Sequence, residues 1–215
     1  MTEKLVLITG ASRGLGYAVA EALARPDVHL ILVARTVGGL EELDDAIRAR
    51  GSAATLVPLD ITDEAGLQGL GKAIHDRWGR LDLFIHAAAH AVPGSPVGHT
   101  GVKDLDRAMA VNGRATQRLI TMLDPLLKQS AQGRAIIVDD LQNRGPHKSA
   151  YAASKDAARA FAEAWAAESQ RTGPKVTLFA PNPMPTALRA RFAPGEDRNT
   201  LAPCRGEAER LTSTI

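Results

Sequence analysis

The sequence predicts a three-layer α/β/α domain, in which six parallel strands form one doubly wound sheet with helices on both faces. Three observations predict it. Short apolar runs alternate with longer amphipathic stretches, as in a chain of β-α units. The apolar runs lack polar alternation, which is typical of strands buried on both faces. The first run leads directly into a glycine-rich loop that opens the first helical stretch.

Each predicted element is a run of residues with the period of its structure. The predicted strands are the apolar runs at 5–8, 29–34, 53–59, 83–85, 135–138 and 176–180. The predicted helices, at 15–24, 40–50, 67–78, 102–128 and 150–169, have apolar residues three or four positions apart. Five prolines between 181 and 203 predict irregular structure with short helices. The whole chain, 1–215, is expected to form a single domain.

Composition excludes several classes of protein. The chain has 215 residues, of which 45% are hydrophobic, so intrinsic disorder is excluded. Its net charge of +2 gives no electrostatic reason for nucleic acid or an anionic membrane as a partner. Cys204 is the only cysteine, which excludes a disulfide framework and a cysteine zinc cluster. No run is long enough for a signal peptide or membrane helix, so we expect a cytoplasmic protein.

The loop after the first strand is a candidate phosphate site. It reads Thr9-Gly10-Ala11-Ser12-Arg13-Gly14-Leu15-Gly16 and stands between a strand and a helix. Glycines let the main chain approach a pyrophosphate, and a helix N-terminus supplies free N–H groups and a positive dipole. The alternative is a purely structural tight turn.

The end of the second strand selects the nucleotide. An acidic residue there binds a ribose 2′-hydroxyl, whereas an arginine accepts a 2′-phosphate. This chain has Arg35 followed by Thr36, and Arg13 lies in the glycine loop. Two arginines without a carboxylate favour NADP(H) over NAD(H). The alternative is that either arginine is simply solvated.

Together these motifs resemble those of the short-chain dehydrogenase/reductase (SDR) family, over residues 4 to about 191. The Tyr-x-x-x-Lys signature is present as Tyr151 to Lys155 at the start of a helix. The resemblance implies a Rossmann-type fold and NADP(H) as cofactor. It places Asp60 against the adenine ring, and Pro181 and Thr186 beside the nicotinamide. The implied cofactor-binding residues are Gly10, Ser12, Arg13, Gly14, Leu15, Gly16, Arg35, Thr36, Asp60, Ile61, Ala87, Ala88, Tyr151, Lys155, Pro181 and Thr186.

The resemblance also implies a proton-transfer group. Lys155 lies one helical turn after Tyr151, and its charge is expected to lower the pKa of the phenol from its usual value near 10. Tyr151 would then act as acid or base, as hydride transfer requires. Asn112 corresponds to the family's helix asparagine, which helps to hold a water in a proton relay. No metal site is implied.

The family's catalytic serine is replaced here. The fifth strand ends in Val138-Asp139-Asp140, and Asp140 is the better match to the serine, with Asp139 as the alternative. An ionised aspartate cannot donate a hydrogen bond to a developing oxyanion. Three outcomes stay open: a protonated Asp140, a substrate with N–H groups or positive charge, or an inactive site. Pteridine reductases within the family carry aspartate at this position, which supports the second outcome.

Two other departures concern the supporting loops. His86-Ala87-Ala88-Ala89 stands where the family usually has Asn-Asn-Ala-Gly. His86 and His90 suggest a metal, but structural histidines are the favoured interpretation because no cysteine or carboxylate cluster accompanies them. Asn182 replaces a glycine, and since asparagine tolerates a positive φ we expect the turn to survive.

The family's seventh strand has no counterpart in the sequence, which leaves six strands and removes one of the family's two dimer contacts. We expect a homodimer through the helices that carry Asn112 and Tyr151, with internal packing as the alternative. The alanine-rich face expected at that contact comprises Ala157, Ala158, Phe161, Ala164 and Trp165.

The sequence therefore predicts an NADPH-dependent oxidoreductase that transfers hydride to a small carbonyl or imine/pterin-like substrate. Tyr151 would be the acid, Lys155 its electrostatic partner, Asn112 the relay support and Asp140 a group facing the substrate. The alternative is a weak or inactive NADP(H)-binding sensor or interaction subunit, which the missing serine and the missing strand favour.

Overall fold

A computed structural model describes residues 3–215 and contains one parallel six-stranded sheet. The strands are β1 (Lys4–Thr9), β2 (Val28–Ala34), β3 (Ala53–Pro58), β4 (Leu83–His86), β5 (Arg134–Val138) and β6 (Lys175–Phe179). Their order is β3-β2-β1-β4-β5-β6, and every neighbouring pair is parallel. The predicted Rossmann-type, doubly wound architecture is confirmed. Within residues 3–215 no seventh strand extends the sheet beyond β6.

In the described residues 3–215, seven α-helices flank the sheet. They are α1 (Gly14–Leu23), α2 (Val37–Arg48), α3 (Glu64–Trp78), α4 (Val102–Ala108), α5 (Ala115–Lys128), α6 (Ser149–Glu168) and α7 (Cys204–Thr212). A π-helical segment, Met109–Arg114, joins α4 to α5, so the predicted helix at 102–128 is continuous but locally widened. Helix α3 begins three residues before its predicted start because the Asp63 carboxylate caps it by accepting the Gly66 N–H.

The core lies in two layers, one on each face of the sheet. Val6 and Ile8 of β1 point to the layer formed with α1, α2 and α7. Leu5 and Leu7, at the alternate positions, point to the layer formed with α3, α5 and α6. A strand buried on both faces has no polar side, which explains the uninterrupted apolar runs of the sequence.

The C-terminal helix packs on α1 and is tied to the turn after β6. Ala208 and Leu211 of α7 are fully buried. Asn182 does not need the positive φ that asparagine tolerates, since His147 is the one non-glycine residue with a positive φ in residues 3–215. Asn182 instead donates its main-chain N–H and its side-chain amide to the buried Glu207, at 3.0 and 2.7 Å. The asparagine therefore anchors α7 to the sheet.

Part of the face expected to contact a second subunit is internal. Ala158 and Trp165 of α6 are buried, and the Trp165 indole N–H donates to Asp124 of α5 at 2.8 Å. The expectation that these two residues face a partner is therefore wrong. Phe161 is 42% exposed, so it is still available for such a contact. In residues 3–215, no helix combines the length and the apolar character that a membrane crossing needs.

Candidate active site

A cleft of about 730 Å³ opens where the strands β1, β2, β4 and β5 end. Clefts at the carboxyl ends of parallel strands are the usual ligand sites of such sheets. Every residue predicted to bind the cofactor lines it: Gly10, Ser12, Arg13, Gly14, Leu15, Gly16, Arg35, Thr36, Asp60, Ile61, Ala87, Ala88, Tyr151, Lys155, Pro181 and Thr186. The fold therefore brings segments from residues 10 to 186 around one space.

The glycine loop is shaped by close main-chain contacts. Gly10 has a φ of 73°, and a Cβ on it would lie 2.7 Å from the Ala88 nitrogen, so only glycine fits. A Cβ on Gly16 would lie 2.4 Å from the Gly10 carbonyl oxygen. Helix α1 begins at Gly14 with no side-chain cap and no acidic residue in its first turn. The first N–H groups of α1 and the positive end of its dipole therefore face the cleft, where an anionic group would accept hydrogen bonds from these N–H groups.

Three arginines gather at the ends of β2 and β3. The Arg13 guanidinium donates to Thr36 Oγ1 at 3.1 Å, and Arg35 lies 3.9 Å from the Asp60 carboxylate. The closer partner of Asp60 is Arg107 of α4, at 2.7 Å. Burial opposes ionisation of Asp60, but hydrogen bonds from Thr62 and Arg107 prevail and lower its pKa to about 2.

Arg107 was missed by the sequence analysis, because nothing local indicates that α4 returns to the end of β3. Asp60 is held as a carboxylate by that arginine and by Thr62, whose N–H and hydroxyl both donate to it. The adenine contact implied for Asp60 stays a prediction.

His86 has the structural role favoured by its sequence context. Its Nδ1 lies 2.7 Å from Thr9 Oγ1 and its Nε2 lies 2.9 Å from Thr116 Oγ1, in the interior between β1 and α5. Burial, together with the charge of Lys155, lowers the pKa of His86 to about 3. No group of three or more His, Cys, Asp or Glu side chains in residues 3–215 is arranged to hold a metal ion.

Asn112 lies in the π-helical segment and does not line the cleft. Its Oδ1 accepts the His90 N–H at 2.8 Å, and its Nδ2 donates to the His90 carbonyl and to Ser154 Oγ. These contacts clamp the segment after β4 to helix α6. The role of Asn112 in a proton relay stays a prediction, while its structural role is evident from these bonds.

Tyr151, Lys155 and Asp140 meet at the other end of the cleft. The Tyr151 hydroxyl donates to Asp140 Oδ2 at 3.0 Å. Asp140 accepts three further hydrogen bonds, from the main chain of Gln142 and Asn143 and from the Asn143 amide, as suits a carboxylate. Between the two aspartates, Asp140 is therefore the one that contacts the tyrosine. The ring of Phe192 packs against Tyr151 with centroids 4.6 Å apart.

The expected effect of Lys155 on the tyrosine is not present in this structure. Burial, followed by the charge of Asp140 and its hydrogen bond, raises the pKa of Tyr151 well above its usual value. The Lys155 ammonium donates instead to the Val138 carbonyl at 2.7 Å, and burial lowers the pKa of Lys155. No local sequence pattern indicated that a carboxylate contacts the phenol.

Asp139 also lines the cleft, but its carboxylate is held by partners other than Tyr151. Its Oδ1 accepts the Asp140 N–H at 2.7 Å, and its Oδ2 pairs with the guanidinium of Arg159. Arg159 was not predicted, although its position four residues after Lys155 is a usable signal. Residues at i, i+4 and i+8 share a helix face, so Tyr151, Lys155 and Arg159 form one row on α6.

A doubly wound sheet with a glycine loop and a Tyr-x-x-x-Lys pair on one cleft defines a class of nucleotide-dependent oxidoreductases. The family model for short chain dehydrogenase matches residues 4–197, and the chain belongs to that family.

Individual relatives and structures agree with this membership. The chain is 31% identical over 192 residues to a dehydrogenase/reductase SDR family protein 7-like from Anopheles gambiae, a match that covers 86% of this chain. It spans only 60% of that relative's length. A short chain dehydrogenase from Pseudomonas syringae superposes with a TM-score of 0.90 at 26% identity, covering 95% of this chain and 85% of that one. One from Shigella flexneri, complexed with NADP, has a TM-score of 0.86 at 28% identity, covering 95% and 87%.

Proposed function

We propose that this chain is an NADPH-dependent oxidoreductase that transfers a hydride to a small carbonyl or imine/pterin-like substrate, with Tyr151 as the acid. The observation that carries the proposal is one cleft with an uncapped helix N-terminus at one end and the Tyr151–Asp140 pair at the other. A related short chain dehydrogenase of known structure is complexed with NADP, which supports the choice of cofactor.

The residues of the cleft fit a dinucleotide. The free N–H groups at the start of α1 would hold the pyrophosphate, and Gly10 and Gly16 leave room for it. Arg13 and Arg35, with side chains at the end of β2, would bind the 2′-phosphate. When bound, NADPH supplies the hydride itself.

The chain's own residues would handle the proton. Tyr151 holds its proton because burial and the Asp140 carboxylate disfavour the phenolate. A group that withdraws this proton must compete with Asp140 for it, so the substrate nitrogen or oxygen has to approach within hydrogen-bond distance of the Tyr151 oxygen. Lys155 holds the end of β5 through the Val138 carbonyl and lines the same cleft as Tyr151.

Of the two substrate classes, Asp140 favours the imine. A carboxylate repels the negative oxygen that forms as hydride reaches a carbonyl carbon. The same carboxylate attracts a protonated C=N group and favours its charged, more electrophilic form. A C=N group that enters already protonated becomes a neutral amine on reduction, so no oxyanion forms beside Asp140, whereas one that enters neutral would take its proton from Tyr151.

The first experiment is calorimetric titration of the purified chain with NADPH and separately with NADH. We expect NADPH to bind at least tenfold more tightly, because each charge-assisted contact to the 2′-phosphate contributes about 1.5–3 kcal/mol. Equal affinities would refute the assignment of Arg13 and Arg35, and no binding of either would refute the cofactor.

The second experiment measures NADPH oxidation with matched cyclic imines, dihydropterins and carbonyl compounds. Tyr151→Phe should reduce turnover by about 10²–10⁴-fold while NADPH still binds, since the loss of a general acid costs that much. Lys148→Gln, which changes a nearby charge outside the cleft lining, is the control for nonspecific effects. Turnover unchanged in Tyr151→Phe would show that the catalytic assignment is wrong.

One observation favours the second candidate function, an NADP(H)-binding sensor or interaction subunit. Tyr151 is only 2% exposed and the ring of Phe192 packs against it, so little of the phenol is open to a substrate. A sensor would bind NADPH as tightly but leave every member of the substrate panel unreduced. The two experiments together therefore separate the candidates.

We also propose that the chain forms a homodimer through the helices that carry Asn112 and Tyr151. Exposed Phe161 on α6 supports this contact. Light scattering after gel filtration should give twice the chain mass, and Phe161→Glu should give the monomer. A monomer before substitution would refute the dimer.

A further inference from the structure

Four charged side chains are connected to the Tyr151 hydroxyl, two of them after β5 and two on α6. Asp139 and Asp140 follow β5, and Lys155 and Arg159 lie opposite them on α6. Asp139 and Lys155 are buried, with 4% and 6% of their surfaces exposed. Two negative and two positive charges therefore balance in a region with little water, where each uncompensated charge has a large effect.

The pairing within this group is specific. Arg159 pairs with Asp139 and does not line the cleft, so it contacts neither the tyrosine nor the space for a ligand. Asp139 in turn accepts the Asp140 N–H at 2.7 Å, and Asp140 accepts the Tyr151 hydroxyl at 3.0 Å. A continuous chain of contacts thus runs from Arg159 to the phenol.

We propose that Arg159 is a positioning residue that acts through Asp139: it neutralises and fixes that carboxylate, and leaves Asp140 as the one carboxylate that bonds to Tyr151. Without Arg159, the buried Asp139 would be an unbalanced negative charge that disfavours the phenolate. Because a buried ion pair lacks one partner after a single substitution, such substitutions are costly, whereas removal of both partners together is often nearly neutral.

The charged groups near the phenol come from every element that packs around it. They are Asp139 and Asp140 after β5, Lys155 and Arg159 on α6, Lys148 just before α6, and Arg189 and Arg191 in the segment before Phe192. Apart from Asp139 and Arg159, none of these charges changes when only those two residues are substituted without altering the fold. A comparison of single and double variants therefore isolates the pair.

The test uses the cofactor-free full chain labelled with 2,3,5-trifluorotyrosine, whose phenol is more acidic than that of tyrosine. The chain has two tyrosines, so fluorine NMR gives two sets of three resonances, and Tyr151→Phe identifies the set from position 151. The pH midpoint of the Tyr151 fluorine signals is then measured in the parent chain, in Arg159→Met, in Asp139→Asn, in the double variant that combines these two changes, and in Arg159→Lys.

We expect the single variants to move the midpoint in opposite directions. Arg159→Met should raise it by about one pH unit and Asp139→Asn should lower it by a similar amount. The double variant should return close to the parent, because it removes a neutral pair. Arg159→Lys keeps the charge and should stay near the parent. A merely structural role for Arg159 would change the free energy of unfolding without these opposite shifts.

Shifts of the same sign in both single variants, or no shift in Arg159→Met, would overturn the proposal. If Arg159→Met does not fold, the variants Asp139→Asn and Arg159→Lys test the proposal instead. An unchanged midpoint in Asp139→Asn then overturns the proposal. The inference rests on the proposed role of Tyr151, but its readout needs neither cofactor nor substrate. A chain that reduces no substrate would refute the proposed function but not the role of Arg159. A Tyr151 midpoint that is the same in all variants would refute the role of Arg159 but not the proposed function.

Discussion

The two ends of the cleft are formed by different kinds of chemical group. At the phosphate end, the shape comes from main chain and small residues: Gly10, Gly14 and Gly16 lie against Ala88 and Thr186 or against one another. At the reaction end, it comes from charged and aromatic side chains of three segments, in which Asp140, Tyr151 and Phe192 meet. The first end tolerates almost no added volume, whereas the second depends on the balance of charge.

The largest expected effect tests the tight end. Gly16→Ala should lower the free energy of unfolding by about 3 kcal/mol and abolish NADPH binding, because the new Cβ would meet the Gly10 carbonyl oxygen at 2.4 Å. Gly69→Ala, on the open face of α3, is the matched control and should stabilise the fold by about 0.5–1 kcal/mol. Urea unfolding and calorimetry measure both. Equal stability in the two variants would contradict the contrast drawn between the ends.

A second prediction concerns acid stability beneath the glycine loop. His86 is buried and its pKa of about 3 lies below the unfolded value of about 6.5, so below pH 6.5 only the unfolded chain takes up the proton. This contribution to the free energy of unfolding is complete above pH 6.5 and is lost as the pH falls toward 3. We expect a loss of about 2 kcal/mol between pH 7 and pH 5.

Urea unfolding at several pH values checks this loss against His86→Asn. The variant should have a flatter dependence on pH over the same range, whatever its stability at pH 7. If both proteins lose stability in parallel, His86 does not account for the effect.

Third, the arginines at the phosphate end should act only on NADPH. Arg13→Ala and Arg35→Ala should each weaken NADPH binding about tenfold and leave NADH binding unchanged, because only NADPH carries the 2′-phosphate. Arg25→Ala removes an exposed arginine that pairs with Asp27 away from the cleft and is the matched control. A similar loss in the control would indicate a general charge effect.

The smallest expected effect sharpens the chemistry of the reaction end. Asp140→Ser replaces an acceptor by a group that can donate to a developing oxyanion. We expect the ratio of kcat/KM for carbonyl over imine substrates to rise about fivefold, since one donor in an unadapted site supplies only part of its usual effect. Asp140→Asn separates loss of charge from gain of a hydroxyl. A ratio that falls in Asp140→Ser would argue against the imine preference.

The sequence predicted the phosphate end well because that end depends on local patterns. A glycine that follows a strand and opens a helix has its place fixed by its neighbours, and all the residues predicted from this reasoning line the cleft. The parallel, doubly wound sheet was predicted from the alternation of elements, whereas the order of its strands was not predicted. Most boundaries differ by one to three residues, as at α3, where the Asp63 cap starts the helix early.

The reaction end was predicted only in part because its behaviour depends on contacts between distant residues. The pairing of Arg107 with Asp60, and of Phe192 with Tyr151, joins positions about forty residues apart. The effect of Lys155 on Tyr151 depended on which neighbour the phenol contacts, and that neighbour is a carboxylate. Burial of Ala158 and Trp165 likewise depends on how α6 is rotated against α5. No local pattern reports these arrangements.

The strand order also bears on the route by which the chain folds. Strands β1 to β3 come from residues 4–58 and can pair once that part has been synthesised, whereas β4 reaches β1 only across a long crossover. The link between the halves includes the Leu5 N–H bond to Asp82, 77 residues away. Contacts of such separation form slowly. We expect pulse-labelled hydrogen exchange to find β1 to β3 protected before β5 and β6. Until β4 pairs with it, β1 is an apolar strand with one unpaired edge, which another nascent chain nearby can bind.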